Sequence, residues 1–129
     1  MNRKNQVITQ FLLAALLMPV LCVVAEPESK VITHVVIAWL KPEFRTEEYI
    51  KKLFEANERL LDIPQVQSMR IGNALRSDRE RVDDSFDLGN VITFKSAQDM
   101  NDYLVHPIHA KFINEFITGK VEKVIAYDF

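Results

Sequence analysis

Apolar residues crowd the stretch Val31–Leu40, VITHVVIAWL, and its β-branched side chains mark it as a strand. Its two faces, Ile32/His34/Val36/Ala38/Leu40 and Val31/Thr33/Val35/Ile37/Trp39, are both apolar, which predicts a strand covered on both sides. Lys41-Pro42 ends it. The period then becomes helical: Thr46 is the expected N-cap, Glu47 and Glu48 complement the dipole of the first turn, and Ile50, Leu53, Phe54, Leu60 and Leu61 form one stripe. Asp62-Ile63-Pro64 stops the helix. Val66–Leu75 predicts a second strand, more polar and therefore nearer an edge, and Arg76–Asp84 a charged loop whose one apolar residue is Val82. Phe86–Phe94 predicts the third strand, with Gly89 marking a bulge or a close packing contact. Ser96 caps a second helix with Met100, Tyr103 and Leu104 on its apolar side. Pro107 restarts a helical segment carrying Ile108, Phe112, Ile113, Phe116 and Ile117. Gly119 terminates that segment, and Val121–Phe129 is the last strand.

The order β-α-β-β-α-β is the α+β, ferredoxin-like plan, with four antiparallel strands and both helices on one face. The other sheet face is left bare within one chain. An apolar face of that size calls for a partner, so the chain is expected to pair with itself, sheet against sheet, as a homodimer.

Upstream of the domain the pattern changes. Arg3 and Lys4 precede an unbroken apolar run, Phe11–Ala25, and Glu26-Pro27-Glu28 follows at once. These are the parts of a secretory signal, with Val23 and Ala25 at −3 and −1 for a cut before Glu26. The expected division is a signal peptide over 1–25, a linker over 26–30 and one domain over 31–129. The run falls short of the ~20 residues of a spanning helix and contains Pro19. Export, periplasmic or secreted, is the expectation, with an N-terminal membrane anchor as the alternative if the leader stays uncut. Once it is cut, no stable membrane association is expected.

Cleavage would also remove Cys22, the one cysteine, which rules out disulfides, a thiol nucleophile and a thiolate metal site in the mature domain. Without Arg3 and Lys4, 14 basic residues face 18 acidic ones, a balance against a nucleic-acid partner.

Candidate chemistry is concentrated in Tyr103-Leu104-Val105-His106-Pro107-Ile108-His109. Proline pushes His106 into an extended conformation and suits the first position of the next helix, which puts His109 in its first turn. The positive helix end there would keep the imidazole neutral and able to accept a proton. Tyr103, at the end of the preceding helix, would meet it across the kink. A neutral imidazole beside a phenol suits proton removal next to a carbonyl. The structural alternative has His106 capping the junction while Tyr103 and His109 fill the core edge. His34 stands alone on an apolar strand face, as a core histidine or as a third group facing the same interior. The histidine spacing gives no metal signature and no cofactor is expected. Asp83-Asp84, Glu47-Glu48 and Arg79-Glu80-Arg81 read as solvated charge. There is no nucleophile-elbow serine, phosphate-cradling glycine loop or dinucleotide fingerprint.

The chain resembles the stress-responsive A/B barrel (Dabb) family of dimeric α+β barrels over residues 31–129. The matching residues are His34-Val35-Val36 with Leu40-Lys41, Phe86-Asp87-Leu88 leading into Val91-Ile92-Thr93-Phe94, the element Tyr103-x-x-His106-Pro107-x-His109, and Asp128-Phe129. The resemblance implies a homodimer with two sheets forming a shared barrel. Most members are stress-associated or uncharacterised. A minority are enzymes that cyclise poly-β-keto chains by aldol condensation, and there Tyr103 would orient the substrate, His109 act as base, and His34 line the pocket. Apart from that resemblance, His106 is a further candidate substrate contact. The first expectation is an exported homodimer of unassigned activity with a small apolar cavity and a possible small apolar ligand. The alternatives are a cofactor-free lyase or cyclase using Tyr103 and His109, and a small-ligand or haem-binding module with a histidine ligand.

Overall fold

A computed structural model describes residues 30–129; the expected signal peptide and nearly all of the linker lie outside the described residues. The described chain runs β1 (Ile32–Leu40), α1 (Glu47–Glu58), β2 (Ser68–Gly72), β3 (Leu88–Phe94), α2 (Ala97–Leu104), α3 (Pro107–Phe112) and β4 (Val121–Asp128). The strands form one sheet in the order β2-β3-β1-β4, every neighbouring pair antiparallel. This is the expected ferredoxin-like α+β plan, with the polar β2 at an edge and the apolar β1 inside.

Local chemistry sets the helix ends. Thr46 and Ser96 accept hydrogen bonds from the Tyr49 and Asp99 amides, satisfying donors of the first turns. Gly119, at φ 76°, provides the left-handed residue that turns the chain into β4. Between Phe112 and that turn the helix widens into a π-helical turn, Ile113–Ile117. The Phe116 carbonyl there accepts from the Tyr49 hydroxyl at 2.6 Å, which ties α1 to the end of the second helical segment.

The core lies between the helices and one sheet face, around Ala38, Leu40, Leu53, Leu60, Ile92 and Phe94. Several expectations need correction. Leu61 of the expected buried stripe is half exposed, and Asn57 and Ile63, outside that stripe, are buried. Leu104 is also largely outside the core. The second strand is five residues long rather than ten, and Asn73 to Asp87 is irregular. At Gly89 the pairing with Ile37 and Gly72 runs on in register, so there is no bulge. A Cβ at Gly89 would stand 3.2 Å from the Phe86 ring, which makes it a close packing contact. The register shift lies elsewhere, between Trp39 and Leu40 against β4.

The opposite sheet face carries Val35, Ile37, Val91, Ile125 and Tyr127, on positions that alternate with the core residues. None of these is buried, and Tyr127 is 56% exposed.

Candidate functional site

His34, Tyr103 and His109 converge on one small cavity. It has a volume of about 60 Å³ and lies between β1, β3 and β4 on one side and α1, α2 and α3 on the other. The central strand delivers His34 on its inner face. α2 delivers Tyr103 from its last turn, and α3 delivers His109 from its first. Asn57 and Asn90 are the remaining polar side chains of the lining, and Phe112, Leu60 and Val124 supply apolar wall. Val124, on the edge strand β4, is 43% exposed.

The Tyr103 and His109 rings lie 4.6 Å apart between centroids, inclined at 49°, and the His34 ring is 6.3 Å from that of Tyr103. Each histidine has one ring nitrogen committed. The His109 Nδ1–H donates to the Leu104 carbonyl at 3.0 Å, one of the orphan acceptors at the end of α2. A carbonyl can only accept, so in the neutral ring the other nitrogen, Nε2, is left as an acceptor. The His34 Nδ1–H donates in the same way to Asp128 Oδ1 at 2.5 Å, and the two residues are direct cross-strand partners in the β1–β4 ladder.

Burial sets the protonation states. Desolvation lowers the pKa of His109; the bond to Leu104 opposes this and the electrostatic effect of His34 adds to it. The neutral imidazole expected from sequence is thus favoured chiefly by burial. Burial alone pushes the Tyr103 phenol far up, so it stays protonated and a donor. Asn90 donates to Asn57 Oδ1 at 3.0 Å, but its own Oδ1 is buried without a partner. Such an acceptor costs free energy unless a water or a ligand supplies a donor.

His106 is placed differently. Its Nδ1 accepts from the Ile108 amide at 3.2 Å and caps α3, with Pro107 in the first helical position, and it is not part of the cavity lining. Asp128 entered the sequence reading only as part of the family match, with no role, and Asn57 and Asn90 were not singled out. The first would have required knowing that β4 pairs with β1 in the register that opposes it to His34. The asparagines carried one faint signal, polar residues at apolar-phase positions of a helix and a strand. Among the described residues no group of three or more His, Cys, Asp or Glu side chains is arranged to hold a metal ion.

Solved structures with this architecture include a hydroxynitrile lyase from Passiflora edulis. It is 22% identical, with a TM-score of 0.68, over 80% of this chain and 94% of that one. A dabb family protein with a ferredoxin-like fold from Mesorhizobium loti is 25% identical, with a TM-score of 0.61, over 77% and 94% of the two chains. A dimeric ferredoxin-like protein of unknown function from Thermobifida fusca is 17% identical, with a TM-score of 0.66, over 81% and 94%. No curated protein matches the chain. The stress responsive A/B barrel domain family matches residues 32–129, nearly the whole described domain. The chain therefore belongs to the stress responsive A/B barrel (Dabb) family.

Proposed function

We propose that the protein is a homodimer, joined through the bare sheet face, in which each protomer binds a small carbonyl compound and moves a proton on it without a cofactor. The observation that carries this reading is the cavity itself. Its lining holds together His109, whose imidazole burial favours in the neutral form, Tyr103, whose phenol burial keeps protonated, and Asn90, whose oxygen is without a partner. In this arrangement Tyr103 donates to the ligand's carbonyl oxygen and His109 takes a proton from the adjacent carbon. The enolate oxygen so formed is held by the Tyr103 hydrogen bond until His109 returns a proton to the carbon, and Asn90 Oδ1 accepts from a water that accompanies the ligand. Asp128 holds His34 in one tautomer, so that the third polar group of the lining is also oriented.

Size bears on the choice of ligand. An engineered apolar cavity of roughly 150 Å³ takes up benzene, and a water's share of the liquid is about 30 Å³. At about 60 Å³ the space suits a compound of a few heavy atoms and is too small for a cyclising poly-keto chain. The homodimer rests on the apolar composition of the outer sheet face and on the dimeric description of the Thermobifida fusca relative. Export belongs to the same proposal and rests on the leader pattern of residues 1–25.

Proton exchange tests the reading directly. In deuterated buffer the protein should accelerate loss of the methyl proton signal of acetone, followed by NMR. His109→Ala should slow the reaction about 100-fold, the range of general acid–base catalysis, and Tyr103→Phe should weaken binding. Acetone that neither binds saturably nor exchanges faster than in buffer would sink the proposal.

A further inference from the structure

A second space lies just outside the first. Between α1 and α3 the surface carries a groove of about 360 Å³, floored by Ala56, Ile108, Phe112 and Phe116 and rimmed by Lys52 and Arg59 among other charged residues. One side chain of α3 belongs to both linings. Phe112 bounds the inner cavity on one face and the groove on the other, and it is 7% exposed. Its ring stacks on Phe116 at 5.9 Å and 20°, a contact that restrains its orientation. It also stands one turn after His109, so the wall and the proton acceptor are set by the same short helix.

We infer that Phe112 is the specificity-determining residue of the site. It is the partition that confines ligands to the inner cavity and excludes aliphatic tails from the groove behind it. The inference rests on the proposed carbonyl-binding site and adds what selects among carbonyl compounds. The wild-type ligand is a short one, of about the size of acetone or butanone, because its chain meets the Phe112 ring. Removing the ring would join the cavity to a groove several times larger whose floor is apolar, a space that would take an alkyl chain.

The test is a series of methyl ketones of three to eight carbons, titrated by NMR against the wild-type protein, Phe112→Ala, Phe112→Leu and Phe112→Trp. For the wild type, affinity is expected to stop rising, or to fall, beyond four carbons. In Phe112→Ala each further methylene should tighten Kd by up to about fourfold, the value of burying one methylene. Phe112→Leu, which keeps an apolar side chain in the core, should show the same trend in weaker form and decides the matter if the alanine variant does not fold. Phe112→Trp should keep the short-chain preference. A wild type that already binds longer ketones progressively more tightly would overturn the inference. So would folded alanine and leucine variants with the wild-type length profile. A wild type that binds no ketone of any length points instead to failure of the carbonyl-binding reading.

Discussion

His109 is held neutral by its surroundings, and that gives it a measurable pH signature. Its folded pKa lies below the ordinary histidine value near 6.5, chiefly because the ring is desolvated. The unfolded chain therefore takes up a proton at a higher pH than the folded one. The stability linked to this residue is fully present above pH ~6.5 and is lost as the pH falls from there toward the depressed folded value, below which it levels off. His109→Gln removes the titration while leaving a polar side chain in place. Urea unfolding of the variant between pH 7.5 and 5 should show a shallower loss of stability than the wild type. An unchanged slope would mean that the imidazole is not the group held neutral. For function the same shift keeps the acceptor nitrogen available over the whole neutral range, and Tyr103, pushed the opposite way on the proton scale, remains a donor throughout.

The junction of α2 and α3 is the element on which the site depends. Tyr103 N-terminal to it and His109 C-terminal to it meet because the chain leaves α2 at Val105 and re-enters a helix at Pro107. His106 secures that bend by capping α3, a function independent of the cavity. His106→Ala should lower stability by about 1 kcal/mol, as loss of an N-cap does, and leave the Kd for acetone within twofold of the wild type. Thermal unfolding and the ketone titration read the two effects separately, and a large loss of affinity with no loss of stability would place His106 in ligand binding instead. This bend was legible in the sequence because proline acts locally: it fixes its own φ and restricts its predecessor. The caps at Thr46 and Ser96 and the stop at Gly119 were legible for the same reason. Asp128 and Asn90 became meaningful only through pairings across the sheet, which no local pattern encodes. The π-helical turn after Phe112 was equally hidden, because its apolar residues fit ordinary helical spacing.

At the scale of the whole molecule, the sheet has two faces of similar apolar character and only one of them is covered by helices. The outer face places Val91 on β3 next to Val35 on β1, with Tyr127 following on β4, across three adjacent strands. A single protomer is largely indifferent to a change at Val91, since that side chain is 39% exposed and exposed substitutions usually shift stability by less than about 0.5 kcal/mol. A second copy packed on the same face would not be indifferent. Two-fold symmetry brings the same residue in from both sides, so one substitution alters the interface twice. Val91→Lys would then set two ammonium groups into an apolar contact, with a desolvation cost that neither can escape without separating the sheets. Sedimentation equilibrium should give twice the chain mass for the wild type and the chain mass for Val91→Lys, with the far-ultraviolet circular dichroism of the two alike. The wild-type melting temperature should rise with protein concentration and that of the variant should not, because only the dimer gains stability by mass action. A variant that still sediments at twice the chain mass would move the interface off this face and leave the apolar sheet surface to some other covering.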